Sequence, residues 1–200
     1  MNGLFARPGF GRRLVRGSRR GITIFQVMLG MLVAGVAVVG AIDFFQSAEE
    51  NRKRNEAALL LQTLRANIQK IWAGDPNYGT ANDTPLVPTL IARGGVPDKA
   101  LVGAAIQHGF GGAVTIVGNP DGDGATLYKI TFEDLDEEVC GALADLFVGR
   151  TRARTGIVEI DFGGDGGGEE AAPVTRAEVT TGCDVDAAAD ESVDLGFVFG

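Results

Sequence analysis

The chain has 200 residues, 26 acidic and 18 basic, for a net charge of −8 at neutral pH; a field of that sign argues against nucleic acid and against anionic lipid surfaces as partners. One histidine, His108, and two cysteines, Cys140 and Cys183, are too few soft ligands for a metal centre, so neither a metal nor a cofactor is expected. The 30 glycines, about twice the average share, point to many turns and loops.

Residues 1–21 carry Arg7, Arg12, Arg13, Arg16, Arg19 and Arg20 and no acidic residue. From Ile22 to Ile42 the only polar side chains are Thr23 and Gln26, and the next charge is Asp43. A helix over that run is about 31 Å long, enough to cross a hydrocarbon core of roughly 30 Å. The positive charge in front of it predicts that residues 1–21 stay in the cytoplasm and that everything after Asp43 is exported. Without the six leader arginines, 12 basic and 26 acidic residues remain, a net charge of −14. Two other readings of this segment are a secretory signal peptide cut near Val39-Gly40-Ala41 and a plain signal anchor; the apolar core of a signal peptide is usually shorter, about 7–15 residues.

The helical pattern continues beyond Asp43. Leu60, Leu64, Ile68 and Ile71 recur on one face, flanked by Leu61 and Trp72, and Arg52, Lys53, Arg54, Arg65 and Lys70 lie opposite. Glu49, Glu50 and the basic cluster at 52–54 are expected to be solvated or to pair between subunits. Gly74-Asp75-Pro76 ends the pattern. One helix over 22–73, near 78 Å long, is therefore expected, with 22–42 in lipid and the rest packed on a domain. Gly30, Gly35 and Gly40 would allow close approach of neighbouring helices, although their spacing puts them on different faces.

Residues 74–200 are enough for one domain. The stretch 75–112 reads as loop, with short helices at Leu86–Ala92 and Asp98–Ile106. Ala113–Val117 is a strand, followed by a turn at Asn119-Pro120-Asp121-Gly122-Asp123-Gly124 and a returning strand Leu127–Phe132. The Asp121-Gly122-Asp123-Gly124 run lacks the rest of a calcium loop. Asp134 or Asp136 caps a helix that carries Val139, Cys140, Leu143, Leu146 and Phe147 to a core and stops near Gly149. Gly156–Phe162 is a strand, Gly163–Glu170 an acidic surface loop, Val174–Thr181 a weak strand, and Leu195–Phe199 a last strand closing the sheet. Strands and helices are segregated, which predicts an α+β fold with an antiparallel sheet. In an exported chain Cys140 and Cys183 most simply form one disulfide, with free buried thiols as the alternative. His108, in Gln107-His108-Gly109, has no nucleophile partner at a recognisable spacing and is expected at the surface or in a loop; no catalytic residue is expected.

The junction Arg19-Arg20-Gly21-Ile22 and the run Ile22-Thr23-Ile24-Phe25-Gln26-Val27-Met28-Leu29-Gly30 resemble a type IV prepilin. The resemblance implies cleavage between Gly21 and Ile22 by a prepilin peptidase and methylation of the new amine on Ile22. The fifth residue after the cut is glutamate in most of that family and Gln26 here. At that assembly contact Gln26 offers hydrogen bonds, but no charge, to a neighbouring subunit's amine.

Several later stretches are similar to the type IVb branch, the toxin-coregulated and conjugative thin pilus subunits. They are Leu90–Pro97, Gly109–Thr115, the Cys140 helix, Cys183 and Leu195–Gly200. This similarity implies an α/β-roll head on a spine helix, with the disulfide bounding a surface region at 140–183. It implies a non-enzymatic structural subunit, held in the bacterial inner membrane with its C-terminus in the periplasm. Its partners would be copies of itself in an extracellular pilus, the prepilin peptidase and the inner-membrane assembly machinery, and the pilus would serve adhesion, aggregation or mating. A minor pilin or pseudopilin that primes a filament and a membrane-anchored periplasmic binding domain are the alternatives.

Overall fold

A computed structural model describes residues 24–74, 77–122, 125–163, 168–184 and 192–200. The leader, Gly21 and Ile22 lie outside the described residues. The first element is α1, Ile24–Ile71, which agrees with the expected helix over the residues described. The chain divides into two units, residues 1–46 and 47–200, and α1 contributes to both.

Among the described residues no helix is long and apolar enough to cross a membrane. The side chains described without interruption run only from Ile24 to Val36, where a span takes about 20 residues. Those at 37 and 39–42, which complete the apolar run in the sequence, lie outside the described residues. A membrane span at 22–42 therefore rests on the sequence alone.

The second unit is a sheet with helices on one face. After α1 come β1 (Thr84–Pro85), α2 (Val87–Ala92), β2 (Leu101–Val102), β3 (Ala105–Gln107), β4 (Ala113–Gly118) and β5 (Tyr128–Leu135). Then follow α3 (Glu137–Ala144), α4 (Arg152–Thr155), β6 (Ile157–Phe162), β7 (Glu169–Ala171), α5 (Arg176–Gly182) and β8 (Val193–Phe199). Every described pairing is antiparallel, in the order β2-β3-β4-β5-β8-β6-β7, with β1 alongside β4.

Alternation in the strands sets the core. One inward row across the sheet is Ile116, Ile130, Phe197 and Ile160; the next is Val114, Phe132, Leu195 and Phe162. All eight are buried, and α1 closes over them with Ala57, Leu60, Leu61, Leu64 and Ile68. The face at 60, 64 and 68 is thus as expected, with Ile71 and Trp72 half-buried at its edge. At roughly 1.5–3 kcal/mol for each large apolar side chain buried, this face holds the second half of α1 in place.

Five local expectations are corrected. Asp98–Ile106 is not a helix: a single 3-10 turn, Asp98–Ala100, leads into the β2–β3 hairpin, because Gly103 takes a positive φ of 64° between the paired Val102 and Ala105. Val174–Thr181 is not a strand: Thr175 and Glu178 form a reciprocal capping box that starts α5. Within Gly163–Glu170, residues 164–167 lie outside the description, and Glu169-Glu170 pair with β6 rather than looping free. Helix α3 ends at Ala144, short of Gly149, and leaves Leu146 exposed instead of in the core. The last strand does not close the sheet at an edge; β8 lies between β5 and β6.

Candidate functional site

The segment from α3 to α5 is an excursion from β5 that adds β6 and β7 to the far side of the sheet. The chain leaves β5, forms α3, α4, β6 and β7, and returns through α5 so that β8 can slot between β5 and β6. Cys140 in α3 and Cys183 at the end of α5 are joined by a disulfide, with Cα atoms 5.7 Å apart and both residues buried. The bond ties the start of the excursion to its end, 43 residues later. Gly182, just before Cys183, permits this approach, because a Cβ there would run into the ring of Phe162. On the outer side Arg176 of α5 pairs with Asp145 after α3 at 2.9 Å.

Helix α1 is clamped to the head by cations as well as by its apolar face. The guanidinium of Arg54 pairs with Glu138 in the first turn of α3. Lys53 holds its ammonium 5.9 Å from the ring centre of Phe110, and Arg65 stands 5.2 Å from that of Phe199. Arg54 is therefore neither simply solvated nor reserved for a neighbouring subunit. Burial raises the Tyr78 hydroxyl pKa; burial and Tyr78 raise that of Tyr128, outweighing the positive Arg65 beside it.

On the outward face of the sheet, Lys129 lies between Asp161 at 3.2 Å and Asp121 at 3.3 Å. Burial works against its charge, yet the two carboxylates hold its pKa above the ordinary lysine value. Asp121 and Asn119 both take positive φ, so the strong turn after β4 is present where the sequence puts it.

His108 lies in the loop between β3 and β4, one of its two expected settings. It is not a surface residue: it is 4 % exposed, with its ring between those of Phe110 and Phe132. The Gly111-Gly112 turn after it was the missed signal, since it folds the chain back over the ring. Among the described residues no group of His, Cys, Asp and Glu could hold a metal ion.

In the first unit the described apolar side chains of α1 face outward. Ile24, Phe25, Met28, Met31, Leu32, Val36, Phe44 and Phe45 are each about two-thirds exposed or more. Apart from the adjoining backbone of the helix itself, nothing among the described residues lies within 4 Å of where a Cβ would stand on Gly30 or Gly35. Gln26 sits in the first turn of α1, among these apolar neighbours.

The Bundlin family model matches residues 46–200. The chain is 24% identical over 140 residues to the major structural subunit of the bundle-forming pilus of Escherichia coli O127:H6, covering 69% of this chain and 70% of that one. The same figures hold for the corresponding subunit of Escherichia coli O111:H-. Among solved structures, the type IVb pilin from Salmonella typhi is similar with a TM-score of 0.51 at 20% identity, over 72% of this chain and 96% of that one. The type IV pilin TcpA from Vibrio cholerae El Tor biotype gives a TM-score of 0.50 at 13% identity, over 74% and 99%. These two likenesses establish the pilin-like fold, a helix packed on an antiparallel sheet with one disulfide.

Proposed function

Because this chain belongs to the Bundlin family, we propose that it is a structural, non-enzymatic subunit of a type IVb-like pilus. The observation that carries this reading is the row of outward-facing apolar side chains described on α1, Ile24 to Val36 together with Phe44 and Phe45, in a chain whose head has the pilin fold. Water disfavours such a surface by roughly 1.5–3 kcal/mol for each large side chain. Lipid before assembly, and neighbouring copies of α1 after it, are the two covers that would remove that cost.

In this reading a prepilin peptidase cuts between Gly21 and Ile22 and the new amine of Ile22 is methylated. Residues 22–42 hold the subunit in the inner membrane, with the head in the periplasm. The assembly machinery of that membrane then transfers subunits into an extracellular filament, where Gln26 hydrogen-bonds the amine of a neighbour. An amide is cheaper than a carboxylate to keep in lipid, but it lacks the Coulomb attraction that a carboxylate would give. That absence favours a second reading, in which the chain is a minor pilin that primes or caps a filament.

Shearing filaments from producing cells and separating their proteins tests both readings. The proposal expects this chain as the bulk component. A trace amount beside another bulk pilin would support the minor role, and full-length chain confined to membranes would overturn filament function altogether.

A further inference from the structure

His108 is the single histidine of the chain, and it stands where the turn after β3 meets β5 and α1. Its Nε2 lies 2.8 Å from the carbonyl oxygen of Glu133, and its Nδ1 lies 3.3 Å from the backbone nitrogen of Phe110. A carbonyl can only accept and a backbone N–H can only donate. Nε2 therefore carries the hydrogen and Nδ1 is bare, which is the neutral imidazole with both nitrogens in use. A second proton would have to go on Nδ1. It would set one N–H against another and put a charge on a ring that is 4 % exposed.

The 108–112 turn joins β3 to β4, whose pairing ends at Gln107 and Ala113, and the His108 ring ties it to β5. Gly111 N–H donates to the His108 carbonyl at 3.0 Å and His108 N–H to that of Gly112 at 3.2 Å. Gly112 fits only because it lacks a side chain, since a Cβ would strike the Glu133 carbonyl and His108 itself. On the α1 side Phe110 lies under Lys53, and the Lys53 stem passes beside Gly109. The same turn forms one edge of a groove of about 350 Å³ whose other walls include Leu59, Leu60, Pro97 and Val102.

We propose that His108 is an acid-released latch: a second proton on its imidazole unseats the 108–112 turn from β5, lifts Phe110 off Lys53 and widens the groove beside α1. The charged groups facing the turn are Glu133 and Asp134 from β5 and Lys53 and Glu56 from α1. Burial lowers the His108 pKa below 6.5; the Glu133 carbonyl and the charges of Asp134 and Glu133 oppose that shift without reversing it. The sign follows. A histidine that is harder to protonate in the closed form costs nothing above its free pKa. The cost appears as pH falls through about 6.5 and grows until the closed form itself is protonated. Across that window the opening constant of the turn rises as the pH falls.

With one histidine present, proton NMR of the imidazole C–H signals in the full chain in detergent reads this site alone. The expected result is a midpoint below 6.5, with the protection factors of the Phe110 and Gly111 amides falling over the same range. The neutral His108→Gln chain should lose that pH response. A midpoint at or above 6.5, amide protection unchanged between pH 7 and pH 5, or the same acid response in the variant would overturn the latch. The midpoint and protection data come from the unsubstituted protein, so they decide the matter even if His108→Gln fails to fold.

Discussion

Lys53, Arg54 and Arg65 lie on the basic side of the helical pattern, yet each turns back onto the head. Their stems are long enough to lie along apolar surface while the charge finds a ring or a carboxylate. A periodicity argument places the Cα of such residues correctly and misplaces the end of the side chain. Arg65 should matter most, because it packs over Phe199 and beside Tyr128 at the helix–sheet seam. Arg65→Ala is expected to cost about 1–2 kcal/mol in urea melts of the full chain in detergent. Arg52→Ala, at an exposed pair with Glu56, should stay within about 0.5 kcal/mol. Equal losses at the two sites would refute the seam role of Arg65. The burial of His108 was missed for a related reason: Gly111-Gly112 marks a turn, but the period of the chain does not say which side chain that turn covers.

Among the elements, those set by local chemistry could be read directly. The amphipathic face of α1, the β4–β5 hairpin and α3 follow from period and turn residues. Helix α5 was hidden by Val174, Val179 and the threonines, which favour strands, although Thr175 and Glu178 already spelled its capping box. Removing that cap with Thr175→Ala should cost about 1 kcal/mol. Thermal melts of the full chain would show this, and an unchanged transition would mean that packing alone starts the helix. The place of β8 was not legible, because strand order depends on contacts between residues far apart in sequence. That order explains the disulfide. It closes an excursion that is also held through β8, packing and the Arg176–Asp145 pair, and a loop of this length is worth on the order of 4 kcal/mol. Cys140→Ser with Cys183→Ser should lower the urea midpoint accordingly; a midpoint within error of the parent would show that β8 and the helices suffice.

At the scale of the whole molecule, the sequence pattern carries the assembly half of the account and the fold carries the head. A long apolar run is visible to simple counting, whereas no pattern in one chain encodes how copies meet. Gln26 is where the two halves join. If the amine of a neighbour is its partner, Gln26→Glu adds the missing charge and should raise the yield of sheared filaments; an unchanged or lower yield would show that the amide is sufficient there. The claim on which the rest depends is that residues 22–42 stay in the working protein as a spine. Intact-mass measurement of the subunit from sheared filaments tests it most directly. The account predicts a chain that begins at Ile22, carries one added methyl group and retains the Cys140–Cys183 bond. A chain that begins at or beyond Ile42, or still at Met1, would contradict it.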